Sequence, residues 1–363
     1  MTELHKIPLQ KIPISEMKNY VQIGHAEDTE AKTGVTVLYF PTGAEVGSDI
    51  SGGGPASRET PLTHAITADN PINALVLGGG SAYGLAAADG VMQCLEQHGI
   101  GYETGAALVP LVVQSCIYDL SYGRRNVRPN AAMGWKACEC ALQGTSDAHG
   151  NVGGGTGATV GKLAGMKRAQ KSGLGIYAIQ LGTVKVAAVV IVNAVGDVYD
   201  PASGKRIAGT HDESRSALIS GSDLLLEYAL HAMKQQSDAS EANEADSQTA
   251  LEKEDMQAAP GEAMREHTNT TIGAVITNAS FSTAEVNKLA SMTRTAYARC
   301  ICPVGTMGDG DSIYFASVGA VDKQTVRMDI NAMGVLSSYV MEQAILDAVR
   351  SSEIPDEEYL ANL

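Results

Sequence analysis

Apolar residues along this chain fall into short continuous runs rather than one long stripe. Gly34–Phe40 is β-branched and stops at Pro41, Asn73–Leu77 stops at a glycine run, Ala107–Val113 carries one proline, and Val184–Val192 stops at Asn193. Runs of this length, bounded by Gly, Pro or Asn, predict strands, and their lack of alternation predicts strands covered on both faces. Between them the spacing turns helical. Leu85, Ala88, Val91, Met92 and Leu95 share one face, and helices are expected over Ala131–Leu142, Leu218–Met233, about Thr283–Cys300 and at the C-terminus. Further strand regions are expected over Ile117–Leu120 and Ile313–Val318. Buried strands interleaved with helices predict an α/β chain.

The pattern breaks once. From about 234 to 266 there are nine carboxylates and no Val, Ile, Phe, Trp or Tyr. Such a stretch cannot bury a core and is expected to be a flexible acidic linker, either disordered or loosely helical. It ends abruptly at His267-Thr268-Asn269-Thr270-Thr271-Ile272-Gly273-Ala274-Val275-Ile276, a β-type run fed by an exposed segment.

Composition sharpens this picture. With 39 Gly against 3 Phe and 1 Trp, the interior is aliphatic and the backbone makes many close approaches. A net charge of -15 repels phosphate backbones and anionic lipid, so neither a nucleic-acid nor a membrane partner is expected. The N-terminus lacks a basic-then-apolar leader and the longest apolar run, Val186–Val192, is too short to span a bilayer, so a cytoplasmic location is expected.

Several apparent motifs fail on inspection. Gly78-Gly79-Gly80-Ser81-Ala82-Tyr83-Gly84 follows a strand and precedes a helix, but both the dinucleotide fingerprint and the nucleophile elbow require Gly where Tyr83 stands. Close helix-to-strand packing is the simpler reading of those glycines. Asn151–Lys162 imitates a phosphate loop, yet Thr156 stands where Gly is needed and Leu163 where Ser or Thr is needed. Lys162 is then left to be held near a polar site. Cys138-x-Cys140 and Cys300-x-Cys302 do not match zinc spacing and read as packing pairs, since i and i+2 share a face wherever the chain is a strand, and the histidines form no metal motif. No metal and no cofactor is expected.

Three polar features remain. Asn193 ends a buried strand, where its amide must find partners or cost about 1–3 kcal/mol. Asp309-Gly310-Asp311 enters a strand with both carboxylates on one face, where they repel unless a cation such as an ammonium is close. Asn269-Thr270 reads either as a threonine-rich strand start or as a self-cleavage point. Cleavage there would give Thr270 a free α-amine of pKa about 7.7–8.0 beside its hydroxyl, so one residue would hold nucleophile and base.

Taken together, these blocks resemble the DmpA-type aminopeptidases, a peptidase family that includes β-peptidyl aminopeptidases and the nylon-oligomer hydrolase. The resemblance runs across nearly the whole chain. It rests on Gly34–Val37, Arg58-Glu59-Thr60, Gly79–Leu85, Tyr118-Asp119-Leu120, Gly155–Ala158 with Gly161-Lys162, Val192-Asn193-Ala194, Asn269-Thr270-Thr271 and Asp309-Gly310-Asp311. The Asn-Thr junction is most similar to the nylon-oligomer hydrolase branch. The resemblance implies a four-layer αββα sandwich like that of N-terminal-nucleophile hydrolases, and autocleavage into an α chain 1–269 and a β chain 270–363. It implies Thr270 as nucleophile, Asn193 as oxyanion donor and Lys162 as stabiliser of negative charge. Asp309 and Asp311 would orient the amine, and Tyr118 would assist proton movement or bind substrate. It also implies a homo-oligomer of processed heterodimers, a tetramer, acting on small amides, peptides or amino-acid oligomers. On the sequence alone two other functions stay open: an acyltransferase similar to ornithine acetyltransferase, and an uncut, non-catalytic binding protein.

Overall fold

The protein is described here from a computed structural model, which covers residues 7–68, 71–243 and 269–363. Ten strands form its main β structure. In chain order they are β1 (Gln10–Ile12), β2 (Gln22–Asp28), β3 (Thr33–Ile50), β4 (Ala56–Arg58), β5 (Ile72–Gly78), β6 (Val112–Cys116), β7 (Leu174–Leu181), β8 (Val184–Asn193), β9 (Thr270–Ala279) and β10 (Ser312–Val321). The helices are α1 (Ala87–Gln97), α2 (Ala131–Gln143), α3 (Gly221–Asn243), α4 (Thr283–Cys300), α5 (Ile330–Arg350) and α6 (Asp356–Leu360).

The 18-residue β3 belongs to two sheets. Its first half pairs with β2 and β5, and its second half, from Glu45 to Ile50, pairs with β10. One sheet therefore runs β1-β7-β8-β9-β10-β3 and the other β2-β3-β5-β6-β4. Alternation along each strand sorts the side chains into layers. On β8, Ala187, Val189 and Ile191 join Ile272, Ala274 and Ile276 of β9 and Leu38, Leu75 and Leu77 of the other sheet in a core between the sheets. The opposite face of β8 carries Val186, Ala188, Val190 and Val192, which pack with Leu289 and Ala296 of α4 and Val340, Met341 and Ala344 of α5. On the far side of the second sheet, Val35, Val37, Ala74 and Val76 pack with Val91 and Leu95 of α1 and Ala137 and Ala141 of α2. Each valine- or leucine-sized side chain buried this way stabilises the fold by about 1.5–3 kcal/mol. The order of layers is helices, sheet, sheet, helices, which is the four-layer αββα sandwich that the resemblance implies.

Local signals set the helix ends. Asn130 caps α2 by accepting from Met133 N, and Asp329 caps α5 by accepting from Asn331 N and Ala332 N. Ser282 and Glu285 form a capping box at α4.

Some elements differ from expectation. The strand expected over Ala107–Val113 is divided, because Leu108–Val109 pairs with Tyr102–Glu103 in a separate ladder while β6 starts at Val112. Residues 117–120 form no strand, since the chain turns there to enter the site. Cys138 and Cys140 lie on α2, one buried and one exposed, rather than sharing a strand face. Helix α3 continues to Asn243, into the stretch expected as a linker, and the rest of that stretch to 266 lies outside the described residues.

Candidate active site

The site forms where the core between the sheets runs out. Strands β8 and β9 pair antiparallel so that Asn193 lies opposite Thr270. Alternation continues the inward series of Ile191 and Ile272 to these two polar residues, both buried. Strand β10 runs parallel to β9, and this brings Asp309-Gly310-Asp311 alongside the start of β9.

Around the Asn269–Thr270 bond, backbone donors converge. Gly310 N donates to the Asn269 carbonyl oxygen at 2.7 Å, and the Thr270 hydroxyl donates to the same oxygen at 2.5 Å. Asn269 N donates to Gly308 O at 2.9 Å. The Asp311 carboxylate accepts from Thr271 N at 2.7 Å and Gly305 N at 3.0 Å, and Asp309 accepts from Thr306 N at 2.6 Å. The loop around Ser51–Pro55 forms a wall over this turn, with Gly54 N donating to Asp309 O at 2.8 Å and Gly53 N to Thr306 O at 3.2 Å.

Lys162 comes from the second glycine loop. Its Nζ donates to the Asn193 carbonyl at 2.9 Å and to Asn193 Oδ1 at 2.7 Å. Thr159 N also donates to Asn193 Oδ1, at 3.0 Å, while Asn193 Nδ2 donates to the Tyr118 carbonyl at 2.9 Å. The Asn193 amide therefore has partners on both ends. Nδ2 carries two hydrogens, so one donor remains beyond the bond to Tyr118.

Burial dominates the electrostatics. It pulls the Lys162 pKa down to about 7, opposed by the negative charges of Asp309 and Asp119. Burial pushes Asp311 up to about 7, and repulsion from Asp309 adds to the rise. Asp309 is raised by burial too, opposed by hydrogen bonds from Thr306 and by Lys162. Of the two aspartates, Asp309 is the one on which the Lys162 charge acts, and this offsets part of the repulsion their spacing sets up.

Every residue proposed from the sequence lies in this region, although not always through its side chain. Tyr118 contributes its carbonyl to Asn193, and it lines a small pocket with Asp119, Ser121, Tyr122, Thr159, Lys162 and Met166. Three contributors were not singled out from the sequence: Asp119, Thr159 and Gly310. Asp119 is buried, accepting from Thr33 Oγ1 at 2.6 Å and Gly80 N at 2.7 Å. Its presence within Tyr118-Asp119-Leu120 was the available signal. The chemistry of Thr159 and Gly310 lies in backbone N–H groups, which leave no mark on side-chain patterns. Among the described residues, no group of three or more His, Cys, Asp or Glu is placed to hold a metal ion. No helix among them is long and apolar enough to cross a membrane.

Comparison with known proteins gives a consistent result. The model of Peptidase family S58 matches residues 19–356. An uncharacterized aminopeptidase of Mycobacterium leprae is 34% identical over 92% of this chain and 89% of its own length. A 6-aminohexanoate-oligomer endohydrolase of Kocuria sp. is 31% identical over 91% of this chain and 84% of its own. Among solved structures, the L-aminopeptidase D-Ala-esterase/amidase of Ochrobactrum anthropi, described as a variant of the Ntn hydrolase fold, aligns with a TM-score of 0.62 at 15% identity. That alignment covers 96% of this chain and 92% of the other. With a family match over nearly the whole chain and relatives above 30% identity, this protein belongs to Peptidase family S58 and is an amide-bond hydrolase.

Proposed function

We propose that this hydrolase makes its own nucleophile by cutting itself between Asn269 and Thr270, giving an α chain 1–269 and a β chain 270–363. The observation that supports this reading is the convergence of the Thr270 hydroxyl and the Gly310 N–H on the Asn269 carbonyl oxygen. A nucleophile and an oxyanion donor already flank the bond to be broken.

In the self-cleavage, Thr270 Oγ1 attacks the Asn269 carbonyl carbon, and negative charge on the carbonyl oxygen is held by Gly310 N–H. The Thr270 hydroxyl proton passes to a base and is returned to the departing Thr270 nitrogen. Before any α-amine exists, Lys162 is the amine suited to this exchange, because Asn193, the strand partner of Thr270, holds its Nζ through Oδ1 and burial brings its pKa to about 7. The C–N bond breaks to leave an ester, and water hydrolyses the ester to free the Thr270 hydroxyl and the Asn269 carboxylate. In turnover, the same hydroxyl attacks a substrate amide while the α-amine takes its proton and gives it to the leaving amine, and water then hydrolyses the acyl ester to release the acid and restore the hydroxyl. Asn193 has a remaining Nδ2 hydrogen for the substrate oxyanion, and Asp309 and Asp311 hold the amine in place. Tyr118 lines the pocket beside Lys162.

The substrates are small amides, peptides or amino-acid oligomers, in keeping with the names of the aminopeptidase and oligomer-hydrolase relatives. Processed heterodimers assemble into a homo-oligomer, with a tetramer the expected state by light scattering. The test of the central reading is Thr270→Ala. Intact mass should show one uncut chain, with no hydrolysis of an amino-acid anilide panel. Wild-type fragments from that variant would show that Thr270 is not the nucleophile.

A further inference from the structure

A second buried lysine takes no part in the chemistry above. Lys171 lies on a short ladder in which it pairs with Thr159, and its side chain is 3% exposed. Its Nζ donates to Gly155 O and Ala158 O, both at 3.1 Å, and also to Ser172 O. Three carbonyls match the three hydrogens of an ammonium, whereas a neutral amine has only two to give. The Tyr122 ring lies 6.0 Å from this head group, and Tyr359 stacks on Tyr122 at 5.3 Å.

The cage has a direct line to the site. Ala158 O and Thr159 N belong to one planar peptide group. Lys171 holds its oxygen end, and its N–H end donates to Asn193 Oδ1 at 3.0 Å. A cation on the carbonyl fixes the plane of the peptide and polarises its N–H. The geometry points to Lys171 as a positioning residue that acts through the Ala158–Thr159 peptide to hold the Asn193 carboxamide in its working orientation. This inference rests on the proposed self-cleavage, in which Asn193 Oδ1 holds the Nζ of Lys162, the base of that step.

The test follows self-cleavage of the full-length chain. The chain is made by cell-free translation, and its splitting is timed on denaturing gels for wild type, Lys171→Met, Asn193→Ala and the double variant. Methionine removes the charge while keeping an unbranched side chain. Lys171→Met should slow splitting on the order of 10²-fold, the loss typical of a reacting group displaced from its productive position. The same substitution should add no further slowing in the Asn193→Ala background, because both act through one carboxamide. A wild-type rate for Lys171→Met, or slowing that multiplies in full on Asn193→Ala, overturns the inference. If Lys171→Met does not fold, as judged by circular dichroism, Lys171→Arg replaces it. Its planar fork does not match three converging carbonyls, so slowed splitting in a folded chain is expected and a wild-type rate overturns the inference. The two readings fail differently: a wild-type rate for Asn193→Ala rejects the site assignment, whereas slow Asn193→Ala with normal Lys171→Met rejects only the role of the lysine.

Discussion

Replacing Gly310 with alanine tests the self-cleavage geometry most directly. A Cβ at this position would lie 2.8 Å from Thr270 Oγ1, 3.0 Å from Gly54 O and 3.3 Å from Pro55 Cα. Carbon contacts are comfortable near 3.5–4.0 Å, so the methyl group acts as a wedge of about 0.5 Å or more. The wall cannot retreat alone. Ser51 N and Gly52 N donate to Asp311 O, and Gly53 N and Gly54 N donate to Thr306 O and Asp309 O, so wall and turn move together. That movement draws Gly310 N–H away from the Asn269 carbonyl. Loss of an oxyanion donor costs about 2.7–4 kcal/mol, or 10²–10³ in rate, while the crowding itself costs about 1–3 kcal/mol of stability. Gly310→Ala should therefore yield a folded chain, with a modestly lower melting temperature, that splits about 10²–10³ times more slowly. The assay is intact mass against time after cell-free synthesis. Splitting at the wild-type rate in a folded Gly310→Ala chain would refute the role given to this amide.

Self-cleavage should accelerate as pH rises through about 7, because Lys162 loses its proton over that range and becomes a base. A rate that stays flat from acidic to mildly alkaline pH would exclude Lys162 as that base. Gly134→Ala should lower the denaturant midpoint even though alanine favours helix by about 1 kcal/mol, because its Cβ would meet Ala87 O at 1.9 Å and force α1 from α2. A higher midpoint would show that the two helices separate freely. Tyr359→Ala should cost about 3–5 kcal/mol in urea unfolding, since the ring is buried against Tyr122 and its hydroxyl donates to Met166 O at 2.8 Å.

Elements with strong local signals were legible in the sequence, and elements held by distant partners were not. The start of α4 is written in Ser282 and Glu285, and β8 and β9 in their unbroken apolar runs. Strands were expected over residues 1–50, but the second half of β3 has no apolar run of its own, because Pro41, Gly43 and several polar residues interrupt the pattern; pairing with β10 holds it extended. The extension of α3 to Asn243 falls within the helical option read for the acidic stretch. A lack of bulky apolar residues argues against burial, but Ala, Glu, Gln and Lys are good helix formers. Side-chain patterns left Thr270, Asn193, Lys162 and the aspartates as unexplained polar residues and the family resemblance gave them roles, while the N–H groups of Gly310 and Thr159 needed the fold to be seen.

The two glycine loops explain why nucleotide motifs were approached and then missed. Exposed N–H groups in such loops form anion-binding concavities, and in a nucleotide-binding protein they face the phosphates of the ligand. Here they face the protein's own side chains. Gly80 N donates to Asp119 Oδ1 at 2.7 Å, Gly153 N to Glu27 Oε2 at 2.9 Å and Gly154 N to Thr36 Oγ1 at 3.2 Å. The missing side chains make room for these partners: a Cβ on Gly79 would lie 2.0 Å from Asp119 Oδ2, and one on Gly157 would lie 2.7 Å from Asp119 Cβ. The first loop therefore closes on the buried Asp119 carboxylate, the second packs against the same side chain at Gly157, and the charge of Asp119 acts in turn on Lys162 and Lys171. The glycines serve internal acceptors, the carboxylates of Asp119 and Glu27 and the hydroxyl of Thr36, which is why the loops keep the shape of phosphate cradles while lacking the residues that would select a phosphate.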